Sequence, residues 1–227
     1  MGELIEVVRP PSLVQAVADT LKKKIFSGEF PEGSPLPEVQ LSEALRVSRG
    51  TVREALRKLK EENIVVVYPH RGAFVPELTE QQLNELYSIR ALIESYAVRI
   101  AMEKGSLTNE LLAHLGDLVQ TMAEAERDGE DTVNMEADFE FHITLCKASH
   151  HDLLINFMES LRSLTYRAVH SMIISESEPT DSGSQHKEIL QAIESGDIAK
   201  AISTVEKHLV DSRSWLLARW RELKQKG

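Results

Sequence analysis

Residues 41–75 read LSEALRVSRGTVREALRKLKEENIVVVYPHRGAFV, and their reading decides the fold of the N-terminal part. At the centre is a helix opening at Ser48 and running from Arg49 to about Glu62. Val52, Ala55, Leu56 and Leu59 fall at i, i+3, i+4 and i+7, so they share one inward face. Arg49, Thr51, Arg53, Arg57 and Lys58 are left on the outer or flanking surface. Before this helix, a short one over about Glu38–Leu45 stops at a tight break, Arg46-Val47. After it, IVVVYPHRGAFV reads as strand, turn, strand: β-branched residues, a Pro-His-Arg-Gly turn and a second β run. A cationic helix alone is more often the solvated face of an ordinary α+β domain. The order of elements points instead to a winged helix-turn-helix, a fold that reads double-stranded DNA.

Each polar residue then has a distinct expected use. Arg49, Gly50 and Thr51 form the first turn, the part of such a helix that reaches base edges. Arg can pair bidentately with guanine, and the Thr methyl can touch thymine. Arg53 lies on the same outer surface. Helix N-terminal N–H groups and Arg57 or Lys58 suit phosphates. Arg71, at the wing tip, is placed to enter a minor groove, with Gly72 allowing close approach.

Upstream, Pro10-Pro11 ends an irregular start. Ser12 and Gln15 have capping-box spacing. Leu13, Val14, Val17, Ala18, Leu21 and Ile25 follow at helical spacing until Gly28 and PEGSPLP (31–37) stop the helix. Downstream of Pro76 everything looks helical. Thr79, with Gln82 at the capping-box position, opens a helix to about Lys104. Others run from Thr108 to about Arg127, then over roughly 132–148, 152–175, 183–195 and 198–222, with SESEPTDSGS (175–184) as a loop. The expected architecture is mostly α: a winged helix-turn-helix of three helices and a two-stranded wing in residues 1–76, then an all-α six-helix bundle in residues 77–227.

The net charge of −10 over 227 residues looks wrong for a DNA binder, but it is unevenly placed. Residues 1–76 hold 11 Lys+Arg against 10 Asp+Glu, whereas residues 77–227 hold 15 against 26. Affinity for DNA depends on local cations against phosphates, not on the whole-chain sum. An acidic second domain would keep itself off the DNA. No apolar run is long enough to span a bilayer, and no secretory leader pattern is present, so a cytoplasmic protein with no membrane partner is expected. The single cysteine, Cys146, cannot form an intrachain disulfide.

The second domain contains ADFEFH (137–142). Asp138 and His142 are four apart on one helix, which stacks their side chains on one face. His186 opens the next-to-last helix in QHKEILQAI, and His208 lies on the last in VEKHLV. Three helices could converge these four side chains on a metal inside the bundle. Any one of eight histidines is more often a structural or solvated residue than a ligand, so the residues alone leave both readings open.

The quoted stretch resembles the winged helix-turn-helix of the GntR family of bacterial transcription regulators, most specifically in VSRGTVREAL. The family usually has Glu-Gly before the wing where this chain has Glu62-Asn63, and Asn also tolerates positive φ. Fatty-acid-responsive members carry an Arg where this chain has Val39, so their operator is not implied. Residues 79–222 look like the FCD effector domain of the family's FadR branch, with six helices as in its VanR-type subgroup. That resemblance implies a divalent metal held through Asp138, His142, His186 and His208, zinc first, with nickel or manganese as alternatives. Where the family has Ser-Gly-Asn, this chain has Ser149-His150-His151, read as a changed cap on the following helix.

The resemblance also implies a small organic-acid effector at the metal. Arg90, in LYSIRALIE, would grip its carboxylate; the plain alternative is an ion pair with Glu94. Arg167 is a second effector-binding candidate and His170 a weaker one. The function expected is a DNA-binding regulator, a repressor, acting as a homodimer on a pseudo-palindromic operator. It is not expected to be an enzyme. The competing reading is a metal-dependent hydrolase or isomerase acting on a small acid, against which no HEXXH-type signature is present.

Overall fold

The structure, a computed structural model, describes residues 12–173 and 181–226. The chain divides into two compact units at Glu77/Leu78. The first holds α1 (Leu13–Phe26), α2 (Glu38–Leu45), α3 (Arg49–Glu61), β1 (Val66–Tyr68) and β2 (Gly72–Phe74). The second holds α4 (Glu80–Glu103), α5 (Asn109–Asp128), α6 (Asp131–Ala148), α7 (Asp152–Ile173), α8 (Ser182–Glu194) and α9 (Ile198–Lys226).

In the first unit, α1 buries Val17, Ala18, Leu21 and Ile25, and α3 buries Val52, Ala55, Leu56 and Leu59 against them. Ser48 caps α3, its Oγ accepting from the Thr51 N–H at 3.1 Å. The α2–α3 break turns on Arg46, whose φ of 54° is left-handed and lets its N–H return to Glu43 O. Asn63 takes φ 57° at the turn into the wing. The wing is shorter than its β-rich sequence suggests. Val66 pairs with Phe74, Val67 with Ala73 and Tyr68 with Gly72, while Ile64 and Val65 are consumed by the core. The PEGSPLP segment also docks on the wing: Leu36 N–H donates to Ala73 O and Val75 N–H to Ser34 O.

In the second unit, α6 is buried on almost every side, with Phe139, Phe141, Ile143, Leu145 and Cys146 all shielded. Burying a side chain such as Phe141 contributes roughly 2–3 kcal/mol. Helix α4 packs on α6, α7 and α9. Its start carries a complete capping box, Thr79 and Gln82 each bonding the other's backbone N–H. The same end is tied to α9: Trp220 Nε1–H donates to Leu78 O at 3.2 Å, and Arg221 pairs with Glu80. His151 caps α7, its Nδ1 accepting from the Leu154 N–H at 3.4 Å. Helix α9 outruns the span read from sequence because no breaker precedes Gly227. Most of the loop read at 175–184 lies outside the described residues.

Candidate metal centre and nucleic-acid interface

Asp138 and His142 project from α6, His186 from the first turns of α8 and His208 from the middle of α9. One ligand-type atom from each of the four lies within 4.8 Å of all the others. His142 Nε2 is 3.1 Å from His186 Nε2 and 3.2 Å from His208 Nε2. Asp138 Oδ1 is 3.2 Å from His186 Nε2 and 4.0 Å from His142 Nε2.

The opposite ring nitrogens explain this convergence. His186 Nδ1 is 2.8 Å from Ser182 O, His208 Nδ1 is 3.1 Å from Gln185 Oε1, and His142 Nδ1 is 2.5 Å from Glu94 Oε2. Each of those oxygens is an acceptor suited to an Nδ1–H, an arrangement that turns each Nε2, with its lone pair, toward the other three side chains. Three lone pairs and a carboxylate facing one another repel unless a cation lies among them. Two neighbouring donors, each about 2.0–2.2 Å from a shared ion, stand roughly 2.9–3.5 Å apart. The three shorter separations here fit that range.

Electrostatics agree with the geometry. Burial, then His186 and His142, hold the His208 imidazole well below its ordinary value, in the neutral form a metal needs. Burial works to raise the Asp138 carboxyl, but the His186 contact first, then His142 and Arg90, overcome it and hold it well below the usual range. Burial likewise opposes Glu94's charge, yet Arg90 first and His142 second keep it lowered.

A cavity of about 310 Å³ opens beside the cluster. Asp138, His142 and His208 line it, as do Tyr87, Arg90 and Gln185. Arg90 is 1% exposed, buried within the bundle. Its Nε donates to Glu94 Oε1 at 2.7 Å and its guanidinium lies 5.2 Å over the Tyr87 ring. Its Nη2 is buried without a hydrogen-bond partner among the described residues. The ion pair with Glu94 and a place on the cavity wall therefore coexist. Arg167 is buried on α7 but does not line the cavity, and the side chain of His170 lies outside the described residues. Cys146 is a core residue whose thiol burial pushes up strongly. Ile89, which helical spacing puts with Leu86, Ile93 and Ala97 on one apolar face of α4, is 41% exposed.

In the first unit, Arg49 and Gly50 are exposed at the start of α3 and Thr51 is half-buried, its Oγ1 2.8 Å from Ser48 Oγ. Arg53 is paired with Glu38 of α2, and Arg57 bridges Glu54 and Glu61. Lys58 Nζ donates to Gln15 Oε1 at 2.7 Å, so Lys58 joins α3 to α1. Arg71 lies 5.6 Å from the ring centroids of both Tyr68 and Phe74, a cation gripped by the wing's two aromatic rings. Beside it His70 and Gly72 take φ 60° and 91°, which makes the turn tight.

Comparison with known proteins converges on the same two units. Residues 13–75 match the family described as bacterial regulatory proteins, gntR family, and residues 85–211 match the FCD domain. The chain belongs to the GntR family. Within it, the chain is 29% identical over 208 residues to the HTH-type transcriptional regulator LutR of Bacillus subtilis, covering 82% of this chain and 93% of LutR. It is 31% identical over 146 residues to the uncharacterized HTH-type transcriptional regulator YdhC of the same organism, covering 64% of this chain and 65% of the length of YdhC. A GntR crystal structure from Rhodococcus sp. RHA1 superposes with TM-score 0.78 at 27% identity, over 92% of this chain and 99% of that one.

Sequence reasoning for this GntR member missed the acceptors behind the imidazoles. Gln185 directly precedes His186 and Ser182 lies one turn before it, so that helix spacing was a usable signal. Glu94 was visible only as a partner of Arg90; nothing local links it to His142.

Proposed function

We propose that this protein is a ligand-responsive transcription repressor whose helical unit holds a divalent metal and a small carboxylate effector. Asp138, His142, His186 and His208 would hold the ion. Three imidazoles and a carboxylate suit zinc first, with nickel or manganese as alternatives. Three of these side chains face the cavity, so open coordination positions and Arg90 Nη2 would meet the same carboxylate. The single observation that carries this reading is the convergence of three Nε2 atoms and a carboxylate oxygen, each ring with an oxygen within 3.1 Å of its Nδ1, beside a cavity walled by a buried arginine.

The output would be operator binding through Arg49, Gly50, Thr51, Arg53, Arg57, Arg71 and Gly72. Occupancy of an operator represses without any further activating surface. A homodimer would present two recognition helices to a pseudo-palindrome. Ile89, Leu92 and Tyr96 of α4 and Leu153 and Phe157 of the neighbouring α7 are large apolar side chains left exposed, with Leu92 at 70%. Their number favours burial against a second copy. The hydrolase or isomerase alternative gains no support from Glu94, a buried carboxylate beside the cluster, because Oε1 is bonded to Arg90 and Oε2 faces His142 Nδ1 at 2.5 Å, away from the cavity-side Nε2.

The test selects an operator from random duplex DNA with the zinc-loaded protein, then titrates citrate, malate, lactate and acetate. Weakened operator binding by at least one acid, lost in the Arg90→Gln variant, is expected. An operator affinity indifferent to every acid would overturn the effector reading and leave DNA binding standing.

A further inference from the structure

We infer that Glu94 is a positioning residue of the metal centre, fixing the ring of His142 through Nδ1 while holding Arg90 with one terminal nitrogen unspent beside the cavity. The inference rests on the metal reading above and deepens it.

Glu94 is 0% exposed on α4, one helical turn beyond Arg90 and on a different helix from all four candidate ligands. Its two oxygens divide between two tasks. Oε1 takes the Arg90 Nε–H at 2.7 Å, and Oε2 stands 2.5 Å from His142 Nδ1. The other two imidazoles are held by neutral oxygens, from the Ser182 carbonyl and the Gln185 amide. His142 alone among them is backed by a charged acceptor. A carboxylate behind a liganding imidazole fixes its tautomer, orients its ring and makes its free nitrogen a stronger donor. His142 is also central, its Nε2 being the one within 3.1–3.2 Å of both other Nε2 atoms. The Oε1 bond occupies Arg90 Nε, on one edge of the guanidinium, while Nη2 has no partner among the described residues. One buried carboxylate thereby sets the pose of a metal ligand and of a cation on the cavity wall.

The experiment uses the full chain with cobalt(II) as the metal, read by its visible absorption and by competition with a chelator. Wild type, Glu94→Gln and His142→Ala are compared, with thermal melting of each metal-free protein. Glu94→Gln is expected to weaken cobalt binding about 10–100-fold and to shift the absorption bands in protein that still melts cooperatively. If Glu94→Gln melts lower but binds cobalt with wild-type affinity and spectrum, Glu94 is a packing residue and the inference is overturned. Should Glu94→Gln fail to fold, Arg90→Gln/Glu94→Gln removes both charges of the buried pair together, the gentler change for a core. The same weakening is expected there, and wild-type affinity overturns the inference equally. A wild type that binds no cobalt, or a His142→Ala variant that binds it as well as wild type, sinks the metal reading itself and this inference with it.

Discussion

Arg53 of α3 and Glu38 of α2 are clasped side by side, with Arg53 Nε 3.0 and 3.1 Å from the two carboxylate oxygens and Nη2 2.7 Å from one of them. A cation assigned to DNA is thus already paired within the head. Glu38→Gln should free Arg53 and remove an anion from the phosphate-facing side. Affinity for random duplex should rise severalfold, and the salt dependence should steepen by about one phosphate contact. Fluorescence anisotropy across a salt series measures both.

The same clasp predicts an acid response. The hydrogen bond from Arg53 lowers the Glu38 carboxyl below its ordinary 4.5, against a smaller opposing effect of burial. A group lowered on folding stabilises the fold above its unfolded value and loses that contribution as pH falls through its folded one. The clasp is therefore intact above about pH 4.5 and lost only below it. Following the Glu38 carboxyl carbon by NMR should show a titration below 4.5 that moves up in Arg53→Ala.

Arg49 and Arg57 should differ in kind. Arg49→Ala, at the first turn, should reduce preference for the selected operator over a point-mutated one by roughly ten- to a hundredfold. Arg57→Ala, three turns from the Ser48 cap at most and bridged to Glu54 and Glu61, should weaken all sequences alike and flatten the salt slope by about one. Parallel gel shifts on the two duplexes separate the cases.

Metal removal should act on the helical unit. Free zinc at about 100 times its Kd adds about 2.7 kcal/mol to stability. For a unit of this size, that is a fall of roughly 5–10 °C in Tm on chelation. Differential scanning calorimetry with and without chelator checks it, and His208→Ala should make the protein indifferent to added zinc.

Leu92→Glu or Phe157→Glu should leave the fold intact, because both side chains are already in water, at 70% and 60% exposure. Either should convert a dimer to monomer in sedimentation velocity and weaken operator binding far more than half-site binding.

Much of the fold was legible because it is written in local patterns. The i, i+3, i+4, i+7 spacing in α3, the Thr79–Gln82 box and the left-handed tolerance of Asn63 all act over a few residues. Asp138 and His142 were legible for the same reason, being one turn apart. His186 and His208 could be attached to them only by resemblance, since no periodicity connects three helices. What failed to show was set by packing. Arg90 sits on a helix covered by α6, α7 and α9, so a charged residue lies inside the core. Ile64 and Val65 have strand-forming side chains, yet the core drew them away from the wing. Gln15 has capping-box spacing from Ser12, but its amide bonds Asp19 and Lys58 instead.

Helix α9 carries His208 near its middle and Trp220 twelve residues later, about 18 Å along the axis. No glycine or proline interrupts it, so it has no hinge of its own. Trp220 holds the carbonyl of Leu78, the first residue past the division between the two units, and Arg221 holds Glu80 just beyond. The histidine end of α9 and the residue at which the helical unit begins therefore share one uninterrupted element.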